Sequence, residues 1–186
     1  MGSSPRGCWR SLYKPPVNKR TGDLQWRIVH GAIATNRYLV HIDPNTGDVC
    51  PFCSQSETVF HLFVQCPRLE ALFRHLERWF QVLGEGFSLS LFIFGPRYSP
   101  KKKSVHQLMN FVSGTAKLAI WKTRKNRIRG QGSEDVVSMT TGLLAARLRV
   151  EFGFYELTGR TQEFVGMWGV KDALCSVREN SLILNF

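Results

Sequence analysis

The stretch from position 50 to position 66 reads CPFCSQSETVFHLFVQC and contains four residues of the types that bind zinc. Cys50 and Cys53 form a Cys-x2-Cys pair, His61 follows after seven residues, and Cys66 follows after four more. A short Cys-x2-Cys loop brings two thiolates onto one ion, and the later histidine and cysteine complete a tetrahedron. Because three sulfurs and one imidazole leave no open position, the spacing predicts one structural zinc ion rather than a catalytic one.

The alternative interpretation of this stretch is a group of buried free cysteines beside a core histidine. Four ligand-type residues at metal spacing within 17 positions favour the zinc site over this alternative. The remaining candidates fit a metal site less well. His75 falls on the polar face of a predicted helix, Cys8 has no cysteine near it in the sequence, and Cys175 is expected to pack inside a helix.

Outside this stretch, the spacing of apolar residues predicts a mainly α fold, with a small CCHC zinc segment followed by a helical, bundle-like region. Five helices are expected: one capped by Asp23, one after Pro67, one from Ser104 to about Arg129, one capped by Ser133, and one from Thr161. Residues 87–94 alternate briefly, which predicts a short strand or a packed loop. We divide the chain into a basic flexible leader (1–22), the zinc segment with flanking helices (23–84) and a basic helical C-terminal region (85–186).

The charge of the chain is strongly positive. It has 25 lysines and arginines against 14 acidic residues, a net charge of +11, which favours a nucleic-acid partner. No acid lies between Gly86 and Ser133. The candidate nucleic-acid contacts are the six cations near the end of the third predicted helix: Lys117, Lys122, Arg124, Lys125, Arg127 and Arg129. The alternative is a merely solvated face, and Trp121 among these cations is expected to pack in the core.

Three stretches of the sequence resemble a known family. Trp26-Arg27-Ile28, Thr35-Asn36 and CPFCSQSETVFHLFVQCP at 50–67 are similar to the zinc-binding segment near the C-terminus of LINE-type (non-LTR) retrotransposon reverse transcriptases. Residues 116–126 resemble the C-terminal tail of the same family. The resemblance implies the ligand set Cys50, Cys53, His61 and Cys66, and a role in holding template RNA or target DNA. Arg37 and Arg68 in the zinc segment are further candidate contacts.

The sequence does not favour catalysis. A reverse transcriptase needs a carboxylate pair for its metal ions, and the chain has no Asp-Asp, while Glu134-Asp135 is interpreted as a helix start. We therefore expect a zinc-stabilised module that binds RNA or DNA and is not an enzyme; the alternative is a zinc-stabilised protein–protein interaction adaptor. No secretory signal or apolar run of membrane-spanning length is visible, so we expect an intracellular, nuclear protein with no membrane or small-molecule partner.

Overall fold

The longest helix, α5 (Lys103–Ile128), lies at the centre of the fold. The computed structural model describes residues 16–96, 99–132 and 135–186. Within these ranges, helices before and after α5 in the sequence pack on different sides of it, and as a result residues 111–120 of α5 are all buried. The other helices are α1 (Lys19–Val29), α2 (Asn36–Leu39), α3 (Glu70–Leu83), α4 (Leu89–Phe94), α6 (Val136–Leu157) and α7 (Thr161–Trp168). The mainly α fold predicted from the sequence is therefore confirmed.

Several short segments connect these helices. The 3-10 turns are Pro44–Thr46, Pro67–Leu69, Pro100–Lys102 and Val170–Asp172, and a π-helical segment spans His61–Gln65. After α7, strands β1 (Cys175–Arg178) and β2 (Ser181–Leu184) form an antiparallel hairpin in which Cys175 pairs with Leu184. Cys175 is buried in this hairpin rather than in a helix as expected, and the hairpin itself was not predicted.

The core forms where the apolar spacing placed it. Leu24 and Ile28 on α1, the inward residues of α3, and Phe164 and Trp168 on α7 are all buried. Gly84 ends α3 in the left-handed conformation, at a φ of 78°, which glycine adopts without steric cost. Elements from both sides of residue 84 contribute to this one core. Among the described residues, no helix is both long and apolar enough to cross a bilayer.

Three predicted helix caps are wrong: other side chains cap two of the helices, and the third has no side-chain cap. Asn18, not Asp23, caps α1: its side chain accepts a hydrogen bond from the Thr21 amide at 2.9 Å. Asp135 caps α6 by accepting from the Ser138 amide at 3.1 Å, whereas the predicted cap Ser133 lies outside the described residues. Helix α5 begins one residue before Ser104 and follows a 3-10 turn, so Ser104 is not its cap.

The prediction of a strand or loop at residues 87–94 is also wrong, since α4 occupies most of it. Ser88 caps α4 and accepts a hydrogen bond from the Leu91 amide at 3.1 Å. Phe92 on this helix is fully buried against the core. The alternation in FSLSLFIF is too short to distinguish a strand from one and a half turns of helix, and the serine cap decides between them.

Candidate metal centre

The first two ligands come from a tight hairpin. Val49 and Ser56 form an isolated antiparallel bridge, and between them the Cys50 amide donates to the carbonyl of Gln55 at 2.7 Å. The Ser54 amide donates back to the carbonyl of Cys50 at 3.1 Å, with Ser54 in the left-handed region at a φ of 59°. These bonds close the chain after Cys53, so that both thiols of the Cys-x2-Cys pair face the same side.

The other two ligands are the first residue of the π-helical segment and the residue after its end. The Cys66 amide donates to the carbonyl of His61 at 2.9 Å, a bond that spans five residues instead of the four of an α-helix. At the start of the segment, the amide of His61 donates to the Thr58 hydroxyl at 2.9 Å. This wider turn brings His61 and Cys66, one turn apart, onto the same side of the segment. Such π turns are uncommon and often occur at functional sites.

The four predicted ligands converge on one point. All four donor atoms lie within 4.8 Å of one another. The sulfur of Cys66 lies 3.9 Å from that of Cys50 and 3.9 Å from that of Cys53, and His61 Nε2 lies 3.2 Å from Cys53 Sγ. A tetrahedral ion with sulfur ligands at about 2.3 Å requires sulfur–sulfur separations of about 3.8 Å, so the cluster could hold a single zinc.

The cluster is closed to solvent and suited to a divalent cation. Cys50, His61 and Cys66 are buried, and Cys53 is half-buried. The hydrogen bond with Cys66 lowers the pKa of the Cys50 thiol, since two close sulfurs favour sharing one proton. A zinc ion would replace that proton and hold all three sulfurs as thiolates. Four protein ligands leave no position for a reacting water, so the group would stabilise the fold rather than catalyse.

Arg68 links the zinc segment, which we define as residues 48–69, to helix α5. Its guanidinium lies 3.8 Å from the ring centroid of Phe52 and donates to the Thr123 hydroxyl at 2.7 Å and to the Ile120 carbonyl at 3.0 Å. Burial lowers the pKa of Arg68, while the neighbouring Cys66 and Cys50 sulfurs oppose that shift. Because a Cys3His zinc site carries a net negative charge, this half-buried cation also balances the charge of the metal centre. Arg68 is therefore engaged inside the protein and is not a candidate nucleic-acid contact.

A second link joins the same segment to α5 through a buried ion pair. Arg124 Nη2 lies 2.6 Å from Glu57 Oε2, and Arg124 Nε donates to both carboxylate oxygens at 2.9 and 3.1 Å. Asn36 completes the arrangement. Its backbone amide donates to the Glu57 carboxylate at 2.7 Å, and its side-chain oxygen accepts from the Arg124 guanidinium at 2.9 Å. Glu57 is fully buried and Arg124 is 4% exposed. Nothing in the sequence singled out Glu57, because a lone glutamate between two ligands carries no spacing signal.

The sequence of this segment matches a known family model. Residues 2–72 match the model described as zinc-binding in reverse transcriptase. These residues belong to the reverse-transcriptase zinc-binding family. The chain is also 34% identical over 177 residues to the Transposon TX1 uncharacterized 149 kDa protein of Xenopus laevis, an alignment that covers 95% of this chain and 14% of that protein. The chain therefore spans about one seventh of the length of this relative. No solved structure matches it significantly.

These comparisons confirm the resemblance and the zinc cofactor drawn from the sequence. Residues 2–72 match a reverse-transcriptase zinc-binding family, and the Cys3His cluster within them could hold the single zinc of such a domain. The relation to the transposon protein extends well beyond residue 72, so α5, α6 and α7 belong to the related region as well. In this zinc-binding domain, the metal centre and α5 are held together by Arg68 and by the Glu57–Arg124 pair.

The six cations predicted to contact nucleic acid divide into two groups in the structure. Lys117 and Arg124 are buried, at 3% and 4% exposed, and both have partners inside the protein, so their assignment to a phosphate-binding face is corrected. The other four lie at the C-terminal end of α5, half-buried or exposed: Lys122, Lys125, Arg127 and Arg129. Trp121 packs partly against the core, as expected, with Arg124 5.1 Å from its ring centroid. The predicted contact Arg37 pairs on the surface with Asp48 at 3.2 Å.

Proposed function

We propose that this domain is a zinc-stabilised nucleic-acid-binding module without catalysis of its own. The observation that carries the proposal is the outward side of the last two turns of α5. Lys122 and Lys125 lie there half-buried, Arg127 and the capping residue Arg129 are exposed around the C-terminal end of the helix, and no acid occurs between Lys117 and Arg129. Like charges repel unless a counter-charge lies near, and a phosphate backbone supplies such charges in a row.

The zinc centre supports this role by fixing the helix that bears the cations. Arg68 and Arg124 attach the zinc segment to the stretch of α5 from Ile120 to Arg124, immediately before the cationic end of the helix. A surface held by buried contacts on the preceding turn loses little conformational freedom when it binds, which favours affinity. The family's name, which refers to reverse transcriptase, agrees with a nucleic-acid partner, and from that partner we also propose a nuclear location.

The absence of catalysis is part of the same proposal. Among the described residues, the Cys3His group is the cluster of three or more side chains that could bind a metal ion, and it contains no carboxylate. The cluster's own four ligands leave no open position. We therefore expect the purified chain to show neither primer extension nor nuclease activity.

The test is a binding titration against RNA and DNA at several salt concentrations. The variant is the triple change Lys125→Gln, Arg127→Gln and Arg129→Gln. Its matched control removes the same charge at the opposite end of the same helix: Lys101→Gln, Lys102→Gln and Lys103→Gln, all exposed positions. Affinity falls with log salt at a slope of about −0.9 per phosphate contact on duplex DNA and about −0.7 on single strands.

We expect the variant at the end of α5 to flatten that slope by about two to three units and to weaken all sequences alike. The control should retain most of the slope, because α5 is about 39 Å long and its two ends cannot share one short phosphate track. Equal effects of the two variants would contradict a site at the end of α5. Wild-type protein that binds neither RNA nor DNA would contradict the function and favour a protein-interaction adaptor.

A further inference from the structure

Helix α1 presents a large aromatic ring to solvent where a core residue would be expected. Its inward face carries Leu24, Gln25 and Ile28, all buried, whereas Trp26 is 45% exposed. The ring of Trp26 packs against that of His30 with centroids 4.4 Å apart and a tilt of 39°. One turn of helix separates the two residues, so the histidine supports one side of the indole. The exposed indole is therefore held in position rather than free to rotate.

The contacts between α1 and α5 place this ring beside the cationic stretch of α5. Thr21 of α1 lies against Gly114 of α5, where an added methyl group would be 3.5 Å from the threonine Cβ. Further along both helices, Gln25 of α1 accepts a hydrogen bond from Lys117 of α5. Both helices therefore advance in the same direction. Since each residue of an α-helix rises 1.5 Å, His30 lies level with Lys122, five residues beyond the Gln25–Lys117 contact in each helix.

A second exposed ring lies at the same end of α5. Tyr38 is 57% exposed and follows Asn36 by two residues, and Asn36 accepts a hydrogen bond from Arg124. The short helix α2 that carries Tyr38 is thereby tied to the last two turns of α5. Tyr38 thus lies near the end of α5, whereas Trp26, one residue beyond Gln25, lies level with Leu118, about one helical turn before Lys122.

We infer that Trp26, with Tyr38 as a second ring, is a stacking site for unpaired nucleobases, so that this domain binds single strands through base stacking as well as charge. This inference rests on the proposed nucleic-acid binding and names the form of nucleic acid. In a duplex the base faces are stacked on each other and are not available to an indole, whereas a single strand exposes them. Cations that follow the backbone beside exposed rings are the usual combination in proteins that bind single strands.

The experiment measures binding of the whole chain to three labelled oligonucleotides of one length: a single-stranded RNA, the corresponding DNA strand, and the DNA duplex. The variants are Trp26→Ala and the conservative Trp26→Phe, and the control is Phe154→Ala, which removes a ring of α6 that is similarly exposed at 55%. Zinc content of each variant shows whether the domain remains folded. The RNA and DNA strands distinguish a general base-stacking site from one that needs the ribose hydroxyl.

We expect Trp26→Ala to raise the Kd for the single strands by about 5- to 150-fold, the range that 1 to 3 kcal/mol of stacking per base implies. Duplex binding and the salt slope should stay as in wild type, because the ring carries no charge, and Trp26→Phe should recover most of the affinity. If wild type binds but Trp26→Ala weakens strands and duplex equally, or weakens neither, the stacking site is wrong while the proposed function stands. If wild type binds no nucleic acid, the proposed function fails and this inference fails with it.

Discussion

Two buried cations on helix α5 attach different parts of the molecule, and they do so in opposite ways. Arg124 lies against the carboxylate of Glu57 and fixes the zinc segment, with every contact to that group at 3.1 Å or less. Lys117, seven residues earlier, donates to the side-chain oxygen of Gln25 and lies 4.9 Å from the ring centroid of Phe92. Lys117 thus joins α1 and α4 to α5 without any carboxylate. Burial lowers the pKa of this lysine to about 7.

This difference shows that a cation in a basic stretch of sequence can have three roles. One cation is buried and paired with a carboxylate, one is buried without a carboxylate and has a lowered pKa, and the remaining four are half-buried or exposed. Removing a paired buried charge leaves its partner unpaired, whereas removing an unpaired one takes away a cost of burial. We therefore expect the loss of Arg124 to lower the free energy of unfolding and the loss of Lys117 to raise it. Loss of the metal should affect the attachment through Arg124 and not the one through Lys117.

Loss of zinc should have the largest effect and should be confined to the Arg124 side. Binding of structural zinc contributes on the order of 10 kcal/mol in small zinc modules, because the ligand segment does not fold without the metal. We expect Cys53→Ser, or a strong chelator, to unfold residues 48–66 locally while α5, α6 and α7 persist through their apolar core. Hydrogen exchange would show the loss of protection segment by segment, and elemental analysis should find one zinc per wild-type chain.

The control for the metal prediction is Cys175→Ala, since this thiol is buried in the terminal hairpin and is absent from the Cys3His cluster. This variant should retain one equivalent of zinc even if its stability falls. Less than half an equivalent in the wild-type chain would argue against the site. Loss of protection in α6 as early as in the zinc segment would show that the two attachments do not behave independently.

The features that sequence could predict are those with a strong local signal. The ligand set was readable because Cys50, Cys53, His61 and Cys66 have a fixed spacing, and α3 was readable because Leu72, Leu76 and Phe80 recur every four residues. Positions of helix starts were less certain, since several serines and acids compete as caps near each one. Asn18 and Asp135 were chosen over neighbouring candidates only in the folded chain.

Features that depend on contacts distant in sequence could not be predicted. The exposed or buried state of Lys117 and Arg124 depends on Gln25 and Glu57, which lie 92 and 67 residues away in the chain. A run of cations interrupted by apolar residues gives no indication of which ones a distant element will cover. The terminal hairpin was missed for another reason: its strands have four residues each, too few for a period to be recognised.

The second prediction concerns the paired attachment. Arg124→Met should lower the free energy of unfolding by about 3 to 5 kcal/mol, because it leaves the carboxylate of Glu57 buried without its cation. Adding Glu57→Gln should restore part of the loss, and the double variant should be more stable than the sum of the single changes predicts. Urea unfolding of wild type, Arg124→Met, Glu57→Gln and the double variant gives the coupling free energy between the two side chains. Arg127→Met is the surface control, and its free energy of unfolding should lie within about 0.5 kcal/mol of wild type. Strictly additive losses would mean that the two side chains do not act as a pair.

The effect expected at the unpaired attachment differs from the other two because it depends on pH. The pKa of Lys117 is lowered from 10.5 to about 7 by burial, so between these two values the unfolded chain binds a proton that the folded chain does not. Stability should therefore rise with pH across this window, by up to about 1.4 kcal/mol per pH unit.

Lys117→Met removes this dependence, so the variant should be more stable than wild type near pH 6, with an advantage that shrinks steadily toward pH 10. Urea unfolding of both proteins at each pH measures the difference, in which the titration of all other groups cancels. A difference that is constant with pH would show that burial does not lower the pKa of this lysine, and that the two attachments are more alike than the structure indicates.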